Sequence, residues 1–157
     1  MSCVIYAVDY GDKVKVGRTQ NLQKRIRALE TGAGTPIKRY FFISASPSLE
    51  TAVLRELNAY KVIGEYFSCS FSTAISAVLK FSAVYGADNK GYIYAPELKR
   101  QIKACYKFNE TTQAKVAEKL GISPQLVYKK MQAEIFPCED LALLLSTVDI
   151  TKNPFWA

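Results

Sequence analysis

Histidine is absent from this 157-residue chain, tryptophan occurs once, and the four cysteines Cys3, Cys69, Cys105 and Cys138 lie far apart. Without an imidazole, the usual histidine-dependent catalytic sites are excluded. Without paired cysteines, so are zinc-finger spacings. Isolated cysteines in a chain without a leader read as buried thiols in a reducing compartment, so a cytoplasmic location is expected. No apolar run approaches the ~20 residues needed to cross a bilayer; Leu141 to Leu145 is the longest near the C-terminus. The chain enters the strand-like run Cys3 to Val8 directly, with no basic region and no small-residue cleavage site. Neither a signal peptide nor a membrane partner is therefore expected.

Acid is also scarce. Lys and Arg number 21 against 14 Asp and Glu, a formal net charge of +7. From Lys13 to Arg39 the basic residues are Lys13, Lys15, Arg18, Lys24, Arg25, Arg27, Lys38 and Arg39, against Glu30 alone. From Lys99 to Gln132 they are Lys99, Arg100, Lys103, Lys107, Lys115, Lys119, Lys129 and Lys130, against Glu110 and Glu118. Two such clusters fit either two surfaces for a polyanion or a generally basic surface.

About half the residues are apolar, which is enough for a packed core. Residues 3–8 and 13–17 alternate like strands around Asp9-Tyr10-Gly11-Asp12 and predict a hairpin. Asn21 is an N-cap for a helix over residues 22–30, which Gly32, Gly34 and Pro36 should end. Residues 40–44 read as a third strand. Ser46-Pro47 starts a helix expected to reach about Tyr60. After Gly64, residues 66–68 look extended and residues 73–84 helical. The expected fold class is α+β for residues 1–84, a linker over 85–98, and an all-α segment over 99–157.

Two charged residues interrupt apolar faces. Leu22, Ile26 and Leu29 form a helical stripe, and Arg25 fills its remaining slot, while Lys24 and Arg27 point elsewhere. Arg25 either has a partner or packs its stem while its head reaches water. Glu50 shares a face with Val53, Leu54 and Leu57. It is either a site residue or a first-turn acid favoured by the helix dipole. With a hairpin turn centred on Tyr10-Gly11, Tyr6 should oppose Lys15 and Val4 should oppose Gly17. That pair is either an ordinary cross-strand contact or a phenol beside a cation.

The run Lys15-Val16-Gly17-Arg18-Thr19-Gln20-Asn21-Leu22-Gln23-Lys24-Arg25 resembles the second motif of GIY-YIG nucleases, YIG-x-T-x-N-L-x-x-R. Val4-Ile5-Tyr6 resembles the first motif, with Val in place of Gly. Gly64-Glu65-Tyr66-Phe67 is similar to the GEWF-type strand of a phage-rich branch whose second motif reads KIG. The resemblance covers about residues 3–80. It implies phosphodiester hydrolysis with one divalent metal, magnesium or manganese. Glu50 would be the metal ligand, and Tyr6 would position or deprotonate the attacking water. Arg25 would stabilise phosphoryl charge, with Lys15 near the phosphate in place of a tyrosine. Asn58 stands roughly where some relatives place a histidine. By this reading Tyr6, Lys15, Arg25 and Glu50 converge on one concave surface, with Arg18, Lys24 and Arg27 toward the nucleic acid.

Residues 112–131 have the spacing of a helix-turn-helix and resemble Cro-like phage repressor domains. Val116, Ala117 and Leu120 should face inward, Gly121 should make the turn, Ile122 should plug it, and Ser123 should cap a helix starting at Pro124. Leu126 and Val127 should also face inward. Gln125, Tyr128, Lys129 and Lys130 are then free for a groove, with Gln113 and Ser123 at the helix starts. A helical hairpin in a core is the competing interpretation. Leu141, Leu144, Leu145 and Val148 either cover this segment's own core or form a homodimer contact. Two functions follow: an endonuclease that cuts double-stranded DNA near a site found by the helix-turn-helix, or a DNA-binding regulator that has kept the nuclease fold without its activity.

Overall fold

In the computed structural model, which describes residues 2–150, the chain divides into two compact units, Met1–Ile93 and Tyr94–Ala157. The fold is α+β. The first unit begins with β1 (Cys3–Asp9) and β2 (Val14–Thr19), an antiparallel hairpin. Then come α1 (Leu22–Ala33), β3 (Arg39–Ala45), α2 (Ser48–Glu56), β4 (Lys61–Ile63), β5 (Tyr66–Phe67) and α3 (Phe71–Ser82). These strands lie in the order β4-β5-β2-β1-β3.

The pleat sorts the residues of β1 onto two faces. Tyr6, Val8 and Tyr10 form a buried cluster with Leu29, against which Leu22, Ile26, Ile37, Tyr40 and Phe42 pack, so α1 covers this face. Asp9 and its direct partner Arg39 point to the other face, where they form an ion pair at 2.7 Å. There the Arg39 guanidinium lies 4.7 Å from the Phe71 ring of α3, and α3 packs on α2. The sheet is thus covered on both sides.

Several boundaries differ from the sequence expectation. Helix α1 runs through Gly32 and stops at Gly34, whose φ of +64° gives the left-handed cap. Helix α2 ends at Glu56 rather than near Tyr60. Its last turn tightens into a 3-10 turn over Asn58–Tyr60, and the Tyr60 carbonyl accepts the Ser68 N–H at 2.8 Å. That bond carries the chain into β4, which the sequence did not suggest. The expected linker contains β6 (Tyr92–Tyr94). Just before it, a Cβ on Gly91 would stand 2.6 Å from the Phe41 ring, so this stretch is packed in place rather than loose. No helix among the described residues is long and apolar enough to cross a membrane.

The second unit contains α4 (Leu98–Phe108), α5 (Gln113–Leu120), α6 (Pro124–Met131), β7 (Ile135–Pro137) and α7 (Cys138–Leu145). Thr112 and Ser123 cap α5 and α6 through their side chains, and Gly121 ends α5 at φ +69°. Ile102, Tyr106, Val116, Ala117, Val127, Met131, Phe136 and Leu144 are buried. The Tyr106 hydroxyl donates to the Leu144 carbonyl at 2.7 Å, which ties α7 to α4. Leu141, Leu145 and Val148 are half-buried. Leu126 was expected inward but is 39% exposed, because Val127 and Met131 already fill the inward face of this two-turn helix.

Candidate active site

The hairpin turn fixes which side chains meet. Its loop is Gly11-Asp12, with Tyr10 N–H bonded to the Lys13 carbonyl at 3.0 Å. Gly11 sits at φ +98°, the first central position, where such hairpins need glycine. The register is therefore two residues away from the one expected. Tyr6 opposes Gly17, and Lys15 opposes Val8. A two-residue slip preserves the alternation, so Tyr6 and Lys15 still share a face but are not direct partners.

The corrected register explains the glycine of the Lys-Val-Gly motif. The Tyr6 ring passes over Gly17, and a Cβ there would stand 2.6 Å from its Cζ. Gly17 does not have a positive φ. Its function is to leave room for the phenol.

Helix α1 brings Arg25 to that phenol. The Asn21 side chain accepts the Lys24 N–H at 3.1 Å and starts the helix, which sets Arg25 beside the Leu22, Ile26 and Leu29 stripe. Arg25 Nε donates to Tyr6 Oη at 2.9 Å. The interrupted stripe thus has a partnered arginine. Burial pushes the Tyr6 pKa up, and the Arg25 hydrogen bond opposes that shift without overcoming it. Tyr6 is a neutral phenol at neutral pH rather than an activated phenolate.

Glu50 comes from the first turn of α2, on the opposite face of the sheet from α1. The single concave face expected from the sequence is instead a cluster around the end of a strand. Strand β5 pairs with β2 at Val14 and Lys15, and the Glu65 carbonyl accepts the Val16 N–H at 3.2 Å. Gly17 to Thr19 extend beyond β5. Here Arg18, on the α2 side, places its Nε 3.7 Å from Glu50 Oε2. On the other side Lys15 Nζ pairs with Glu65 Oε2 at 3.2 Å and stands 4.6 Å from the Tyr66 ring.

These charges act on one another across the strand. Burial raises the Glu50 pKa, and the Glu65 carboxylate raises it further, against the lowering effects of Arg18, Lys15 and Arg25. Tyr6 also feels Arg25, Glu65 and Glu50. Glu50 Oε2 is buried and makes no hydrogen bond, its only charged neighbour in ion-pair distance among the described residues being the Arg18 guanidinium at 3.7 Å. A buried acceptor left in this state is costly and is a natural position for a cation. Among the described residues no group of three or more Cys, Asp and Glu could hold a metal. Magnesium does not need one, since it keeps several waters and takes one or two carboxylates plus substrate phosphate. Glu50 by itself is the one carboxylate that requirement needs.

Glu65 received no role from the sequence, although it is the acid of the Gly-Glu-Tyr-Phe run. Its position depends on the β4–β5 turn, which was not foreseen. Arg18 was expected to face nucleic acid, and it is instead held beside Glu50. Lys24 and Arg27 are exposed on α1. Asn58 is exposed in the 3-10 turn after α2.

In the second unit Gln125, Tyr128 and Lys129 are exposed along α6. Gln113 is half-buried at the start of α5, and the Ser123 hydroxyl accepts the Leu126 N–H at 3.2 Å. Lys130 is not free for a groove. Its Nζ donates to Asp140 Oδ1 at 2.9 Å, and its side chain is only 21% exposed, because α7 brings an acid to its side of α6.

A family model described as the T5orf172 domain matches residues 2–82, more than half of the chain and most of the first unit. No curated protein and no solved structure matches the chain.

Proposed function

The chain belongs to the T5orf172 domain family, and from that membership and the cluster around Gly17 we propose that it is a metal-dependent DNA endonuclease of the GIY-YIG type, directed to its site by α5 and α6. The observation that carries this reading is a partnered Tyr6–Arg25 couple together with a Glu50 carboxylate whose buried Oε2 makes no hydrogen bond and faces only the Arg18 guanidinium at 3.7 Å. A binding surface for DNA gains nothing from a buried acid, whereas a metal site requires one.

The residues divide the work of phosphodiester hydrolysis. Arg25 commits its Nε to Tyr6 and offers its terminal nitrogens to the nonbridging oxygens, where a planar fork suits a phosphate. Tyr6, neutral and held by Arg25, orients the attacking water rather than deprotonating it. Lys15 adds positive charge on the same face. Glu50 would hold magnesium or manganese, which would supply charge neutralisation at the phosphate. Arg18 balances Glu50 in the absence of that ion. Gln125, Tyr128 and Lys129 would meet the major groove, with Lys24 and Arg27 on backbone phosphates.

The competing reading is a DNA-binding regulator, and the Arg18–Glu50 pair favours it, because a neutralised acid repels phosphate less. Nicking of supercoiled plasmid separates the two readings. Wild type should cut with magnesium or manganese and stop with chelator. Glu50→Ala should lose on the order of a hundred-fold or more in rate while binding DNA as well or better. Equal inertness of wild type and variant on bound DNA would establish the regulator.

A further inference from the structure

We infer that the tip of the β4–β5 hairpin is an apolar wedge that enters the base stack of DNA beside the phosphate held at the Glu50 site. The inference rests on the nuclease reading and extends it from the backbone to the bases. Val62 and Ile63 are 63% and 72% exposed, and Tyr60 next to them is also exposed. Single exposed apolar residues are ordinary, but three within four positions form a patch. The patch sits on a braced element. Tyr66 of β5 opposes Lys15 of β2, the Glu65 carbonyl is bonded to Val16, and the Glu65 carboxylate is bonded to Lys15. The turn that displays Ile63 is therefore anchored to the charges that would surround a phosphate.

A second copy of this chain is the other obvious occupant of an outer strand, and the edge is built against it. Strand β4 has three residues, begins with Lys61, and has an irregular register between Lys61 and Ile63. Short length, lysine and a bulge are the features by which edge strands avoid pairing. A polyanion has the opposite preference. Lys61 on the wedge, with Lys13 just before β2, complements the backbone on either side of an opened step. Proteins that kink DNA insert Ile, Leu, Phe or Met in this way.

A wedge binds more tightly where the bases are already unstacked. The test measures binding of the full chain by fluorescence anisotropy, in chelator so that nothing is cut. The probes are a matched 30-base-pair duplex, the same duplex with one central mismatch, and a scrambled matched control. Wild type should prefer the mismatched duplex by about ten-fold. Val62→Ser/Ile63→Ser should lose that preference and keep its affinity for the matched duplex, and Val62→Leu/Ile63→Leu should retain the preference. Both sites are exposed, so a shared melting temperature checks the fold. Salt-sensitive binding of wild type without any mismatch preference would overturn the wedge and leave the nuclease reading intact. No DNA binding at all would overturn both. A wild-type dimer that the Ser variant dissociates would assign the patch to a second copy instead.

Discussion

The two units differ in what their long-range polar bonds join. In the second unit local bonds start the helices at Thr112 and Ser123, and remote ones such as Tyr106 to the Leu144 carbonyl and Asn109 to the Asp149 carbonyl, 38 and 40 residues apart, are neutral ties between segments. In the first unit the remote bonds join ionisable side chains: Tyr6 with Arg25 is 19 residues apart, Asp9 with Arg39 is 30, and Lys15 with Glu65 is 50. A local bond stabilises an element and stays inside it. A remote bond brings chemistry from several elements to one place, and it leaves costs such as the buried Glu50 oxygen that makes no hydrogen bond. Under the proposed function, the charges of the second unit would contact the polyanion and those of the first would act on it.

Two glycines give the strongest way to break this contrast. Gly17→Ala puts a Cβ 2.6 Å from Tyr6 Cζ and must displace the phenol from Arg25. It should cost about 1–3 kcal/mol in denaturant unfolding, as overpacking does, and should remove plasmid nicking. Gly121→Ala meets open space and strains only its own φ of +69°. It should cost about 1 kcal/mol and leave nicking of saturated plasmid unchanged. Equal losses of cutting in both variants would erase the distinction.

Glu50→Gln tests the cost of the remote site. Because burial raises the Glu50 pKa, the folded protein holds that proton more tightly than the unfolded chain. Stability from this group is present at low pH and is lost as pH rises through the folded value. Gln removes the buried charge, so it should stabilise the fold at neutral pH by on the order of 1 kcal/mol. The gain should shrink as pH falls through the raised value, measured as melting temperature against pH. A pH-independent gain would show that Glu50 is not desolvated.

The smallest effect separates two neighbours on α6. Lys129→Ala should weaken DNA binding a few-fold and reduce the salt slope by about 0.9, the share of one phosphate. Lys130→Ala should change the slope less, since Lys130 is paired with Asp140. Equal slopes would mean that DNA draws Lys130 away from its acid.

Helix starts and turns were readable because each is specified within a few residues. Asn21, Thr112, Ser123 and Gly121 each perform the role their local sequence implies. Arg25 and Glu50 stood out as charges on apolar faces, a signal that needs no partner to be visible. Lys15 and Tyr6 were misplaced by one turn residue, since Tyr10-Gly11 and Gly11-Asp12 are both plausible hairpin centres. Glu65 stood out only as part of the Gly-Glu-Tyr-Phe run and without a role, because nothing near it in sequence points to Lys15. The exposure of Leu126 followed from which of two neighbouring apolar residues on α6 took the inward face, and the pairing of Lys130 depended on α7, which lies beyond the pattern that defines α6.

The sequence by itself determined the α+β class, the capped helices, the uneven basic charge and the two residues that break their apolar stripes, because periodicity and capping act over one or two turns. Tertiary structure decided that Gly17 makes room for Tyr6, that Glu50 meets Arg18 on the α2 side of β2, and that Glu65 pairs with Lys15 on the other side. Those outcomes depend on hairpin register and on which helix covers which face. Both are settled by burying side chains from distant parts of the chain, so no short stretch of sequence contains them.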